Sequence, residues 1–185
     1  MTIQTPLRLV AVAAAALAIM AAGVTPARAA TLSELRLISN LDEPRGYCVD
    51  MMGSKTEAKT TSPLQAHSCY SAEGPISVDQ GITTSGVVSQ GRVRIPYFGV
   101  CMASAGARAG GSVTLQTCSA TSTGTIRLAA RQVHPKSQPG LCLTVGSTTT
   151  EGGGGSPVHL KRTLTWQTCA ASGSTRTRQL WRLAA

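Results

Sequence analysis

The sequence predicts an all-β protein built from three similar units, each closed by its own pair of cysteines. Two observations support this prediction. A pattern of glycine, apolar or aromatic residue, cysteine and apolar residue occurs at residues 46–49, 99–102 and 140–143, and a second cysteine follows each copy. Beyond residue 30, no stretch shows the sustained 3.6-residue apolar period and the capping residues of an amphipathic helix.

The closing half of the unit repeats as well. In residues 64–69, 113–118 and 164–169, two apolar residues at alternate positions precede the cysteine. A unit of about four short strands cannot bury its apolar face alone, so three such units are expected to pack around one core. Residues 30–185 are therefore predicted to form one domain, with repeats at approximately 35–86, 87–131 and 132–185.

All six cysteines belong to this repeat. Six cysteines allow 15 pairings, and spacing alone does not select one of them. The repeat favours pairing within each copy, which predicts the disulfides Cys48–Cys69, Cys101–Cys118 and Cys142–Cys169. Each bridge is expected to stabilise the fold by about 2–4 kcal/mol, because it restricts the unfolded chain.

The predicted strands are short and are separated by polar or glycine-rich loops. They lie at residues 35–38, 47–51, 64–69 and near 82 in the first repeat, at 93–95, 113–118 and 125–128 in the second, and at 164–169 and 177–183 in the third. Four consecutive glycines at 152–155 predict a flexible loop tip. No Gly-Lys-Ser/Thr sequence follows them, so they do not predict a phosphate-binding loop.

The first 29 residues predict a cleaved secretory signal peptide. Arg8 precedes an apolar run at residues 9–20, and Ala27, Arg28 and Ala29 form a cleavage site with small residues at its outer positions. The run is shorter than the roughly 20 residues of a spanning helix, so we expect no membrane span. We expect the protein to be secreted or periplasmic, since disulfides persist in oxidising compartments.

The charge of the chain is strongly positive. The full sequence has 17 basic and 8 acidic residues and a net charge of +9. Without Arg8 and Arg28 the basic residues number 15, so residues 30–185 have a net charge of +7. Such a charge favours solubility and anionic surfaces. The basic residues are scattered rather than clustered, so nucleic acid is not an expected partner.

These motifs resemble those of the ricin B-type lectin family, whose fold is a β-trefoil of three subdomains. The family's Gln-x-Trp motif is complete at residues 179–181. In the first repeat Gln80 is present, but Ile82 takes the place of the tryptophan. In the second repeat, residues 126–128 have apolar residues at the first and last positions and neither the glutamine nor the tryptophan. We interpret Gln80, Gln179 and Trp181 as a structural core motif. Trp166 is expected in the core as well, because apolar residues take its place in the other repeats.

The resemblance also implies where a sugar would bind. In the family, an Asp two residues after the first cysteine accepts hydrogen bonds from sugar hydroxyls, an aromatic residue two before the second cysteine stacks on the sugar, and a polar residue precedes the Gln-x-Trp motif. In the first repeat these positions are Asp50, His67 and Asp79. In the alternative interpretation, Asp50 caps a turn and His67 is a surface residue.

The other two repeats lack both a carboxylate and a ring at the first two positions. The residues are Ala103 and Gln116 in the second repeat, and Thr144, Gln167 and Arg178 in the third. We therefore expect at most one sugar site, in the first repeat.

The sequence does not predict an enzyme. The histidines at 67, 134 and 159 are spread along the chain, no Gly-x-Ser-x-Gly motif is present, and no Cys-x-x-Cys pair offers metal ligands. We expect no catalytic residue, metal or cofactor.

The predicted function is therefore that of a secreted, non-catalytic carbohydrate-binding protein, with a glycan or glycoconjugate as partner. Two alternatives stay open. In one, the trefoil no longer binds sugar and docks a protein partner, as toxin subunits or protease inhibitors of similar fold do. In the other, the basic surface binds an anionic polysaccharide, and binding would then weaken steeply with salt.

Overall fold

The structure is a computed structural model that describes residues 1, 32–83, 91–104, 106–119 and 126–184. The predicted signal peptide and the predicted start of the second repeat, at residue 87, lie outside the described residues. The described strands are β1 (Leu32–Leu37), β2 (Tyr47–Met51), β3 (Leu64–Ser68), β4 (Ile82–Thr83), β5 (Arg94–Ile95), β6 (Val100–Met102), β7 (Leu115–Thr117), β8 (Ile126–Ala129), β9 (Gln132–Pro135), β10 (Leu141–Val145), β11 (Thr150–Glu151), β12 (Leu160–Thr168) and β13 (Trp181–Ala184). Short 3-10 turns occupy Lys55–Glu57 and Tyr70–Ala72, and one short helix, α1, covers Gly173–Thr177.

The strands pair antiparallel throughout the described residues. The largest sheet has the order β10-β12-β3-β2-β1-β13, with β4 beside β1 and β11 beside β12. Smaller sheets are formed by β5-β6-β7 and by β8-β9. Because Leu37 pairs with Trp181 across β1 and β13, the two ends of the domain close on each other. The pairing of β12 with β3 joins the third repeat to the first.

Three disulfides are present, and they join the partners that the repeat predicts. Cys48 bonds to Cys69, Cys101 to Cys118 and Cys142 to Cys169, with Cα–Cα distances of 5.0, 5.1 and 5.0 Å, which lie within the usual range for unstrained bridges. In each case the first cysteine lies in a strand, and the second immediately follows the strand that pairs with it. The bridges therefore close the hairpins β2–β3, β6–β7 and β10–β12.

One apolar core contains side chains from all three repeats. Trp166 and Trp181 are both buried in it, and the indole N–H of Trp181 donates to the carbonyl of Leu143 at 2.9 Å. This bond satisfies the polar end of a large side chain that water cannot reach. The other large, fully buried residues are Tyr47, Leu35, Leu37, Met51, Ile82, Ile95, Met102, Ile126, Leu143 and Leu164.

Gln80 and Gln179 make equivalent hydrogen bonds in the first and third repeats. Oε1 of Gln80 accepts the backbone N–H of the residue after Cys69, and its Nε2 donates to the carbonyl of the residue before it, both at 3.0 Å. Gln179 makes the same two bonds around Cys169, at 2.8 and 3.0 Å. Both glutamines are buried, so each one fixes the backbone beside a disulfide.

The end of the chain differs from the predicted strand at 177–183. Residues 173–177 form α1, and β13 begins only at Trp181. The turn is closed by the N–H of Arg178, which donates to the carbonyls of Ser174 and Thr175. A helical turn here lets the following Gln179 point inward to its bonds beside Cys169. No helix among the described residues is long and apolar enough to cross a membrane.

Candidate functional site

Asp50 lies in β2 opposite Gln65 of β3. Its side chain is only 1% exposed. Oδ2 accepts a hydrogen bond from the amide of Gln65 at 2.7 Å, whereas Oδ1 has no partner among the described residues. Burial raises the pKa of this carboxyl well above its usual range; the hydrogen bond from Gln65 opposes that rise, and the charge of Asp79 adds to it. The side chain does not cap a turn.

His67 and Asp79 belong to the same buried cluster. They are 3% and 0% exposed. Asp79 accepts the backbone N–H of Lys55 at 2.8 Å and the hydroxyl of Ser77. Burial lowers the pKa of His67, and the charge of Asp79 acts on it in the opposite direction. The structure therefore brings the three predicted residues into one cluster but leaves almost none of their surface open to a ligand.

A loop of the third repeat, residues 152–159, packs over His67 of this cluster; we call it the covering loop. Gly152 lies directly against the imidazole of His67. His159, which is also buried, packs edge-on against His67 with ring centroids 5.3 Å apart, and Tyr70 lies 5.4 Å from both rings. Gly152 is therefore packed against the first repeat, whereas residues 153–155, where the composition predicts a flexible tip, are exposed.

Arg45 fastens the covering loop to the first repeat. Its guanidinium donates to the carbonyls of Pro157 and Val158 at 3.0 and 2.9 Å, and forms ion pairs with Glu43 and Glu73 at 2.8 Å. Burial alone would raise the pKa of Glu43, but hydrogen bonds from Arg45 and from a serine hydroxyl outweigh it and lower the pKa to about 2. Nε2 of His159, from the loop itself, lies 2.9 Å from the second oxygen of Glu73.

The third repeat is open at the corresponding place. A polar cavity of about 610 Å³ is lined by Thr144, Gln167 and Arg178, the three positions that correspond to Asp50, His67 and Asp79. The sequence predicts no sugar site in this repeat, because it has neither a carboxylate nor a ring there. The recurrence of the three positions is the sequence signal that could have located the cavity, since hydroxyl, amide and guanidinium groups can also bond sugar hydroxyls.

The polar groups of this cavity are held in place by the β10–β12 hairpin. The hydroxyl of Thr144 donates to the carbonyl of Cys142 and accepts the amide of Gln179, both at 2.9 Å. The amide of Gln167 donates to the hydroxyl of Thr165 at 3.2 Å. The rest of the lining comes from the loop after β10, from β11 and β12, and from α1, which sequence reasoning could not assemble around one space.

A second cavity adjoins the first along β12. Its volume is about 310 Å³, and it shares Thr150, Arg162, Thr163 and Thr165 with the polar cavity. Its far side carries Lys161 and a less polar wall formed by Met52, Pro63 and Leu64. The two spaces share this stretch of wall, and together we call them the cleft. In the second repeat, Ala103 borders a separate cavity of about 270 Å³ that Gln116 does not reach.

The described residues offer no ready metal site. Two groups place His, Glu and Cys ligand atoms close together: His134 with Cys142 and Cys169, and Glu34 with Cys48 and Cys69. In both groups the cysteines are bonded to each other. A disulfide sulfur lacks the thiolate charge that binds a transition metal.

Comparisons with known proteins show similarity in fold. The chain is similar to the crystal structure of the earthworm R-type lectin C-half in complex with GalNAc, with a TM-score of 0.55, and to that of the earthworm lectin C-terminal domain mutant in complex with 6'-sialyllactose, with a TM-score of 0.56. Each match is 12% identical and covers 83% of this chain and 97% of the other. No family model and no curated protein matches the chain. At this identity the likeness concerns the fold alone.

Proposed function

We propose that this protein is a non-catalytic carbohydrate-binding protein whose binding site is the polar cavity of the third repeat. The observation that carries the proposal is that Thr144, Gln167 and Arg178 line one open space. All three corresponding residues of the first repeat are buried, whereas in the third repeat Thr144 is buried and Gln167 and Arg178 are partly exposed. The structurally similar earthworm domains were solved with GalNAc and with 6'-sialyllactose, which supports a saccharide as the class of ligand.

The proposal extends to the architecture and the compartment. A β-trefoil of three repeats is supported by three hairpins that are each closed by a disulfide, and by the equivalent bonds of Gln80 and Gln179. Removal of residues 1–29 and release into a periplasm or the medium are supported by the signal-like sequence and by the paired cysteines.

The first-repeat cluster of Asp50, His67 and Asp79 stays a prediction as a sugar site. A sugar could reach it only after the covering loop had moved, and that movement would break the bonds of Arg45 to the loop backbone. Such a site would be closed at rest, whereas the cavity of the third repeat needs no rearrangement. This difference is why we place the site in the third repeat.

The test is a glycan array probed with the exported, disulfide-intact protein and three variants. Gln167→Ala removes an amide from the cavity, Asp50→Asn removes the buried charge of the first repeat, and Gln116→Ala is the matched control at the corresponding position of the second repeat. We expect the parent to bind saccharides, Gln167→Ala to bind at least about fivefold more weakly (roughly 1 kcal/mol), and the other two variants to match the parent.

Two results would overturn the proposal. Loss of binding in Asp50→Asn with no effect of Gln167→Ala would place the site under the covering loop. Absence of binding to every saccharide would leave a protein partner as the better explanation, and affinity capture would then be the next measurement.

A further inference from the structure

One cation of the third-repeat cavity lacks an acidic partner. Nε of Arg178 donates to the carbonyl of Val145 at 3.0 Å, and the N–H of Val145 donates back to the carbonyl of Arg178, also at 3.0 Å. These two bonds hold Nε of the guanidinium at the cavity wall. Within the described ranges, no ion pair involves Arg178 and its terminal nitrogens donate no hydrogen bond. The guanidinium therefore keeps free donors for a ligand.

The other arginine of the cavity is already neutralised. Arg162 forms an ion pair with Asp42 at 2.7 Å and donates to the carbonyls of Gly146 and Ser147 at 2.9 and 2.6 Å. It also lies over the ring of Tyr47, with its central carbon 5.3 Å from the ring centroid. Its role is to support the wall, so the unbalanced positive charge of the cavity comes from Arg178.

The lining lacks the two groups that usually bind a neutral sugar. None of the described residues that line the cavity has a carboxylate or an aromatic ring. They are threonines, a serine, a glutamine, a valine, a glycine and the two arginines. A neutral sugar would gain neither a charged acceptor nor a stacking surface there. A saccharide with an anionic group would gain charge-assisted hydrogen bonds from Arg178, which are roughly twice as strong as neutral ones.

The adjoining cavity supplies a second unpaired cation. Lys161 lines it and, within the described part of the chain, forms no ion pair. Arg178 is held beside Val145, which pairs with Leu164 of β12. Lys161 is three residues away from Leu164 along the same strand, a distance of about 10 Å. The backbone positions that carry the two cations therefore lie at different places along β12, one beside each cavity.

We infer that the cleft binds an acidic oligosaccharide, with a carboxylate or sulfate on Arg178 and a later unit of the chain near Lys161. This inference rests on the proposed function, because it names the class of saccharide that the same site takes. A uronic acid oligomer and a sulfated oligosaccharide present the same anionic chemistry to the guanidinium, so the experiment compares both with their neutral counterparts.

The test measures affinity by isothermal titration calorimetry for galacturonic acid, for trigalacturonic acid and its fully methyl-esterified form, and for 3'-sulfated lactose and lactose. The variants are Arg178→Gln, Lys161→Gln and the control Arg182→Gln. Arg182 is exposed on β13 outside the lining of the cleft, and its replacement removes the same charge. Circular dichroism checks that every variant is folded.

We expect each anionic probe that binds to bind at least tenfold more tightly than its neutral counterpart. Arg178→Gln should remove that preference, whereas Arg182→Gln should keep it. Lys161→Gln should weaken binding of trigalacturonic acid and leave that of galacturonic acid unchanged, since only the oligomer reaches the second cavity. Tighter binding of trigalacturonic acid alone would identify a carboxylated ligand, and tighter binding of sulfated lactose alone a sulfated one.

The inference is overturned if acidic and neutral probes bind equally, or if Arg178→Gln and Arg182→Gln weaken binding by the same factor, which would indicate attraction to the overall charge only. Binding of neutral sugars that is lost in Gln167→Ala would then leave the proposed function standing. If no saccharide binds at all, the inference and the proposed function both fail.

Discussion

Gly152 lies directly over His67. A β-carbon on Gly152 would lie only 2.8 Å from Cδ2 of the imidazole and still closer to Nε2. Since the ring is also enclosed by Tyr70 and His159, it has no space into which it can move. The absence of a side chain at this position therefore allows the covering loop to close over the first repeat.

Replacing Gly152 with alanine should destabilise the protein. We expect Gly152→Ala to lower the free energy of unfolding by about 1–3 kcal/mol, the usual cost of overpacking a filled site. Urea denaturation with the disulfides intact measures the change. Gly140→Ala is the matched control, because nothing lies within 4 Å of a β-carbon there and its backbone φ is not positive. Equal effects of the two substitutions would contradict this packing.

The buried carboxyl of Asp50 should make the folded protein less stable as the pH rises. Its pKa is raised in the folded protein, so the folded state binds a proton more tightly than the unfolded state, and stability falls as the pH rises from about 4 towards neutrality. We expect the stability of Asp50→Asn to increase over that window relative to that of the parent. At pH 7 the variant should be more stable than the parent by about 1–3 kcal/mol. A stability difference that does not change with pH would contradict the burial of an unpaired carboxylate.

Glu43 should act in the opposite direction. Its pKa is lowered to about 2 in the folded protein, so its stabilising effect is complete above the unfolded value near 4.5 and is lost as the pH falls towards 2. We expect Glu43→Gln to cost about 3 kcal/mol at pH 6 and progressively less below pH 4. Urea denaturation of parent and variant from pH 2 to pH 6 measures this difference, and a cost that persists at pH 2 would refute it.

The two core glutamines should contribute similarly to stability. Gln80→Ala and Gln179→Ala each leave one N–H and one carbonyl of the backbone beside a disulfide without their side-chain partner. We expect each substitution to cost about 2–4 kcal/mol. Gln116→Ala, at an exposed position on β7, should change stability by less than about 0.5 kcal/mol. If Gln80→Ala lowered the free energy of unfolding much less than Gln179→Ala, the two sets of hydrogen bonds would not contribute equally to stability, which would contradict this prediction.

The local features of the fold could be predicted because they depend on neighbours in sequence. Repetition of the cysteine pattern pointed to the three bridges, and alternation of apolar residues in 164–169 placed Trp166 in the core. Both arguments use spacing within one hairpin. The helical turn at α1 was missed, because five residues are too few to show a 3.6-residue period.

The candidate site was harder to predict because it depends on contacts between repeats. The motif that singled out Asp50 and His67 describes residue types at fixed positions and carries no information about what covers them. His67 is covered by Gly152 and His159 of a loop more than eighty residues away, which the bonds of Arg45 to Pro157 and Val158 hold in place. Such a contact leaves no periodic signal in the sequence.

The sequence by itself predicts three similar units, the cysteine pairing and the buried position of Trp166, since each follows from residue spacing inside a short segment. The buried position of Trp181 is implied by the resemblance of residues 179–181 to the Gln-x-Trp motif. Only the tertiary structure decided which repeat is closed and which is open. The covering loop packs on the first repeat because Gly152 leaves room for the His67 ring and because Arg45 donates hydrogen bonds to the loop carbonyls of Pro157 and Val158. In the third repeat no loop among the described residues covers Arg178, which lines the cleft and has no ion-pair partner there.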